Sequence, residues 1–214
     1  MTGTIIYMTS NMEREAFEEK IIDDLLIKSR GLPIVSVSQK PLNLGTNICV
    51  GQVGASGYNF CRQVQIACEN SNSDYVIHAE ADCIYSPDYF KFVPKRLDIP
   101  YRNTNIYVQK YGQDFVCKKE MSTFSQVVGR EFYLKRLKDL FKFLPIWNTK
   151  YKNFPKEIGR KLFDDFAFFE TKYPCVSFKT GKGMRQHSPT SEIPVYELPY
   201  WGSIKDLRRK YENR

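Results

Sequence analysis

The chain has 214 residues, with 32 Lys and Arg against 24 Asp and Glu, a formal net charge of +8, and 42% hydrophobic and 14% aromatic residues. This composition excludes a disordered tail, a collagen-like chain and a coiled coil, and no stretch approaches the roughly 18–20 uninterrupted apolar residues of a membrane-spanning helix. A chain this long can bury a sizeable core, so one compact domain over residues 1–214 is expected.

Met1 to Ser10 has no basic leading segment and reads directly as a strand, which argues against a signal peptide. The cysteines, Cys49, Cys61, Cys68, Cys83, Cys117 and Cys175, form no C-x-x-C pair and no zinc-finger spacing. They read as small buried hydrophobes in a reducing, cytoplasmic setting (a host cytoplasm if the chain is viral). Charge is uneven along the chain: residues 1–90 carry 6 basic and 11 acidic residues, net −5, and residues 91–214 carry 26 and 13, net +13. A basic second half suits a polyanionic partner, and equally a Lys-rich solvated surface.

In chain order, Thr4 to Thr9 is a β-branched and aromatic run that ends in Ser10-Asn11, a natural helix cap. Glu13 to Ser29 then predicts a helix with Phe17, Ile21, Leu25 and Lys28 on one face, stopped by Gly31. Leu32 to Ser38 is a second strand. Gln39 to Gly57, with four glycines, reads as a loop, and Tyr58 to Asn70 as a second helix. Asp74 to Ala79 is almost continuously apolar, as a buried parallel strand should be, and ends in Glu80-Ala81-Asp82. Strand, helix, strand, helix, strand predicts an α/β fold with a mostly parallel central sheet flanked by helices. Ligands of such sheets bind at the carboxyl ends of the strands, so Thr9, Ser10 and Asn11, Gln39 and Lys40, and Glu80 to Asp82 are expected to converge.

The second half is less regular. Asn105 to Gln109, Phe115 to Val116 and Cys175 to Phe178 read as strands. Arg130 to Phe143, Lys161 to Thr171 and the basic stretch Ile204 to Tyr211 read as helices. Gly181-Lys182-Gly183 is a turn before His187. His78, inside the third strand, reads as a core histidine.

The two carboxylates at the end of the third strand are the sharpest chemical feature. Oxygen ligands of this kind suit Mg²⁺ or Mn²⁺, which bridges nucleotide phosphates; acidic pairs also cap helices and solvate loops. The segment Asp74-Tyr75-Val76-Ile77-His78-Ala79-Glu80-Ala81-Asp82, followed by Pro87 and Tyr89-Phe90, resembles the D-x-D segment of GT-A glycosyltransferases, especially family-two-like members. Ser56 to Gln63 resembles the same family's segment at the start of the helix before that strand, and Ser38 to Pro41 and Asn47 to Gly51 resemble a smaller set of GT-A-like proteins of phage and bacterial genomes. The likeness covers residues 4–90 and continues only in patches. It departs at Ser36-Val37-Ser38-Gln39, where an acid often contacts the base, and at Glu80 and Ala81, where the motif usually has more carboxylates.

This resemblance implies a GT-A (Rossmann-like) domain with a nucleotide-sugar-binding half, 1–90, and a basic acceptor-binding half, 91–214. It implies a metal-dependent, inverting glycosyltransferase that uses a nucleotide sugar, expected to be a UDP-sugar. Glu80, Asp82 and the late His187 would hold Mn²⁺ or Mg²⁺. Thr9, Ser10, Asn11, Gln39, Lys40, Arg62, Ala81, Lys182 and Arg185 would line the donor. Asp165 resembles the catalytic base, with Asp164 its neighbour; the same acids also suit the first turn of a helix. The basic second half, interleaved with Tyr and Phe, suits duplex DNA, and the phage likeness suggests a hydroxymethylated pyrimidine acceptor. A surface or lipid-linked glycan is the alternative acceptor. A nucleotidyltransferase and a non-catalytic nucleic-acid-binding protein are the alternative classes.

Overall fold

The computed structural model describes residues 1–110, 112–159, 162–182 and 190–212. In the first half β1 (Gly3–Met8), α1 (Glu15–Lys28), β2 (Ile34–Ser38), β3 (Thr46–Cys49), α2 (Gly57–Glu69), β4 (Tyr75–Glu80) and β5 (Cys83–Ile84) follow one another. They are succeeded by β6 (Tyr101–Asn103), β7 (Ile106–Lys110), β8 (Val116–Lys119), β9 (Gln126–Gly129), α3 (Arg130–Phe141), β10 (Ala167–Phe169), β11 (Cys175–Lys179), β12 (Pro194–Val195) and α4 (Ile204–Glu212).

A seven-stranded sheet runs in the order β10-β6-β9-β4-β1-β2-β3, parallel except for β9, which is antiparallel to both neighbours. β1 and β2 are buried at every position, because helices cover both faces of this sheet. On one face Ile5, Tyr7, Ile77 and Ala79 pack with Ile22 and Leu25 of α1. On the other, Ile6, Met8, Val35, Val37 and Val76 pack against Val64 of α2 and Leu137 of α3. A five-stranded sheet, β12-β8-β7-β11-β5, lies beyond α1. There Phe17 and Ile21 meet Val176 and Phe178 of β11 and Ile204 and Leu207 of α4. α1 therefore serves two cores, which is why its buried positions exceed a single stripe. Five of the six cysteines are buried, Cys49 being exposed. No helix among the described residues is long and apolar enough to cross a membrane.

Three sequence expectations are corrected. The presumed loop 39–57 contains β3, a half-exposed edge strand paired in parallel with β2. Ser10-Asn11 is not a helix cap: α1 begins at Glu15 behind Arg14, with no side-chain cap bond. The helix expected over Lys161 to Thr171 is instead an irregular approach to β10. Leu162, Phe163, Phe166 and Phe169 satisfy a helical period, but pairing decides: Ala167 donates to Pro100 O at 2.8 Å and aligns with Tyr101.

Candidate active site

Registers set the carboxyl edge of the central sheet. Met8 lies beside Val37 on one side and Glu80 on the other, so the chain leaves β1, β2 and β4 at one level. The turns beyond them are tied together by side chains. Asn11 takes a left-handed backbone (φ 50°), which Asn tolerates better than most residues. Its side-chain oxygen accepts from the Gln39 and Lys40 amides, both at 2.9 Å. Thr9 donates its amide to Val37 O at 3.1 Å, its hydroxyl accepts from the Asn11 amide at 2.9 Å, and its carbonyl accepts from Gln63 Nε2 at 2.8 Å. Gln39 clamps Gly54 in both directions at 3.0 Å. Ser56 caps α2 by accepting from the Asn59 amide at 3.0 Å. The edge is thus a pre-built polar lattice.

The acidic pair stands at one end of that lattice. Glu80 closes β4, and its amide donates to Tyr85 Oη at 3.0 Å. Asp82 Oδ2 pairs with Lys179 Nζ at 3.1 Å, and Oδ1 accepts from Cys83 Sγ at 3.2 Å. The Asp82 carbonyl accepts from the Phe178 amide at 2.7 Å, locking the turn to β11. Burial works against the Lys179 charge, but the Asp82 and Glu80 carboxylates outweigh it and raise its pKa, so the ammonium persists. Glu13 accepts from the Thr180 hydroxyl at 2.7 Å. Burial, reinforced by Asp82 against the Thr180 bond, pushes Glu13 up to about 6.

Ligand atoms of Glu80, Asp82 and Cys83 lie within 4.8 Å of one another. Burial raises the Cys83 thiol well above its ordinary value, so it stays protonated and does not suit a hard ion. The two carboxylates do fit Mg²⁺ or Mn²⁺. A cation bound through Asp82 Oδ2 would share that oxygen with Lys179, whereas among the described residues Oδ1 is held only by the Cys83 thiol.

The remaining expected residues fall into three groups. Ser10 is half-buried between Thr9 and Asn11, Ala81 is buried, and Lys40 is exposed with its amide held by Asn11. Lys182 is exposed, its amide donating to the Thr180 hydroxyl at 3.2 Å. Arg185 and His187 lie outside the described residues. Arg62 is engaged by the segment that follows α3: its guanidinium donates to Pro145 O at 3.0 Å and lies 3.7 Å from the Phe141 ring centre.

Asp164 and Asp165 are displaced from the crevice. Ala167 aligns with Tyr101, Tyr101 with Val127 and Val127 with Ile77, three positions short of Glu80. Both aspartates precede Ala167, so they lie toward the edge where β4 begins. Three strand spacings add about 14 Å sideways, whereas a base must come within about 3 Å of its proton. Asp164 pairs with Arg136 at 2.6 Å, and Asp165 accepts from the Phe166 amide at 2.8 Å. His78 is buried, stacked on Tyr133 at 5.5 Å between ring centres, and burial lowers its pKa to about 3. Lys179, Thr180 and Glu13 were not singled out from sequence. The signal for Lys179 was a cation ending an apolar strand just before the Gly181 turn.

No family model and no curated protein matches the chain. Solved structures do. TarS of S. aureus aligns at 12% identity and TM-score 0.51, over 83% of this chain and 37% of that one. The inositol-1-phosphate CTP transferase of T. maritima aligns at 10% identity and TM-score 0.50, over 82% and 89%. The chain spans 50% of the bifunctional IspDF of Campylobacter jejuni and 62% of TarS 1-349. At such identities the likeness shows the fold. It is an α/β fold with a large, mostly parallel central sheet flanked by helices, shared with TarS and the inositol-1-phosphate CTP transferase.

Proposed function

We propose that this protein is a nucleotide-sugar-dependent glycosyltransferase whose donor lies across the carboxyl ends of β1, β2 and β4. The observation that carries the reading is the Glu80/Asp82 pair, projecting from a central buried strand beside the Asn11–Gln39–Gly54 lattice. A rigid polar edge accepts the nucleoside, and Lys179 offers a persistent positive charge to the donor's phosphates. A divalent cation held by Glu80 and Asp82 supplies further neutralisation of the diphosphate when bound. Glycosyl transfer, not its stereochemical course, is the proposal, because the carboxylates expected to act as base lie toward the other edge of the sheet.

For the acceptor, the duplex-DNA reading rests on the basic, aromatic-rich second half and the phage likeness, and several of the basic residues behind it are committed elsewhere. Arg130 donates inward to Cys68 O and Ser73 O, Arg96 pairs with Asp98 at 2.8 Å, and Lys118 and Lys119 belong to β8 of the second sheet. We therefore favour a lipid-linked or surface glycan. Nucleotidyl transfer shares the fold, but the β1–α1 turn, Thr9-Ser10-Asn11-Met12, has none of the glycines that cradle a triphosphate.

Donor hydrolysis across a panel of nucleotide sugars, with and without Mn²⁺, tests the reading. Release of free sugar from at least one UDP-sugar supports it. Pyrophosphate release from a nucleoside triphosphate and a sugar phosphate, with no sugar release, would replace it with nucleotidyl transfer.

A further inference from the structure

The segment that follows α3 has an unusual construction. Its backbone is pinned along most of its length to the start of α2. Pro145 O accepts from Tyr58 Oη and from Arg62 Nη2. Asn148 donates its amide to Asn59 Oδ1 at 2.8 Å, and its carbonyl accepts from Ser56 Oγ at 2.6 Å. The Tyr151 and Lys152 carbonyls accept from the Tyr58 and Gly57 amides at 3.2 and 3.1 Å. That approach is so close that a Cβ on Gly57 would stand 2.5 Å from Lys152 O. Yet this fixed segment turns two large apolar side chains outward, Phe143 at 94% exposure and Ile146 at 69%. Phe143 is held there by a left-handed backbone, φ 64°.

Charge surrounds them. Residues 135–156 carry seven Lys and Arg against the single acid Asp139. Lys135, Lys138, Lys142, Lys150 and Lys152 are exposed, and Trp147 and Tyr151 are half-buried between them. The segment abuts Gly54 and Ser56, which Gln39 and Asn59 join to the donor lattice, so it stands at the carboxyl edge of the sheet. Rigid apolar tips ringed by lysines and flanked by amphipathic aromatics match the chemistry of a bilayer interface with anionic headgroups. A nucleic acid matches less well. Its phosphates would use the lysines and Phe143 could take a base, but Ile146, the second exposed tip, has no planar face for stacking and would stay in water.

We propose that residues 142–152 dock this protein on an anionic lipid surface, Phe143 and Ile146 entering the headgroup region and the surrounding lysines meeting lipid phosphates. The proposal deepens the glycan-acceptor reading, since it sets the crevice next to a membrane-borne acceptor, but its test does not depend on transfer. The full chain is sedimented with vesicles of phosphatidylcholine alone and of phosphatidylcholine with phosphatidylserine, alongside the double variant Phe143→Asn/Ile146→Ser. Both positions are exposed, and Asn accepts the left-handed backbone at 143, so the variant should fold with an unchanged thermal midpoint.

The wild type should bind the anionic vesicles and not the neutral ones, with a blue shift of tryptophan fluorescence, and the double variant should bind roughly tenfold or more weakly. Three results would overturn the proposal. One is failure of the wild type to bind anionic vesicles at low salt. Another is equal binding by the variant, which would reduce the patch to a general polyanion surface. The third is absence of vesicle binding together with duplex-DNA binding, or self-association, that the two substitutions abolish. Loss of donor hydrolysis with vesicle binding intact would strike the catalytic reading instead.

Discussion

Glu80 and Asp82 end a central strand covered on both faces, while Asp164 and Asp165 precede a three-residue strand at the margin of the same sheet. The first pair is surrounded by fixed partners: Tyr85 on the Glu80 amide, Lys179 and Cys83 on Asp82, and Phe178 on its carbonyl. In the second pair Asp164 holds a partly exposed arginine and Asp165 caps its own turn. Two acids close together in sequence are thus no guide to chemistry by themselves. What separates the pairs is whether a buried strand delivers them to the edge where other strands also end.

The largest expected effect separates the pairs directly. Asp82→Ala removes a carboxylate from the crevice and strands Lys179, and should weaken metal-dependent donor binding more than about 100-fold, beyond the 10–100-fold typical of outer partners of a metal site. Asp165→Asn should leave donor binding and turnover within about threefold, as exposed substitutions do. Titration calorimetry with the active nucleotide sugar and Mn²⁺ reads the first, and steady-state hydrolysis the second.

A second effect probes the strand that delivers Glu80. His78 is buried and neutral, with its pKa lowered to about 3, first by burial and then by Arg102. The unfolded chain takes up this proton near 6.5, so stability is complete above that pH and falls as the pH drops toward 3. The slope from this one group is about 1.4 kcal/mol per pH unit. His78→Leu should flatten the acid limb of a urea-unfolding series between pH 6.5 and 4; an unchanged limb would place the acid sensitivity elsewhere.

Asn11→Ala should cost about 2–3 kcal/mol, since it leaves the Gln39 and Lys40 amides unpaired and forces alanine into a left-handed turn. Urea unfolding measures this, and donor affinity should fall with it. The smallest effect belongs to the marginal pair: Asp164→Asn should change stability by less than about 1 kcal/mol, because its partner Arg136 is 36% exposed and Asp164 itself 71%.

The same contrast explains what was legible in the sequence. β1, β2, α1, α2 and β4 could be read because strands buried on both faces are continuous apolar runs, and the helices between them carry apolar residues at helical spacing. The convergence of Asn11, Gln39 and Glu80 followed from the alternation of strand and helix. β3 was hidden because Thr46 to Cys49 is half-exposed and lies between Gly45 and Gly51, which look like loop. β10 was hidden because Leu162, Phe163, Phe166 and Phe169 fit a helix as well as a strand, and only Tyr101 to Asn103, some sixty residues earlier, decides. The Lys179–Asp82 pair joins positions 97 apart, a relation no local spacing encodes.

One measurement bears most directly on the central claim that Glu80 and Asp82, and not Asp164 and Asp165, form the donor site. Binding of a nucleotide-sugar panel with Mn²⁺ is compared calorimetrically among the wild type, Glu80→Gln/Asp82→Asn and Asp164→Asn/Asp165→Asn, all confirmed folded by their thermal midpoints. The account predicts that the first double variant loses the donor while the second binds it as the wild type does. Wild-type affinity in the first and lost affinity in the second would contradict it.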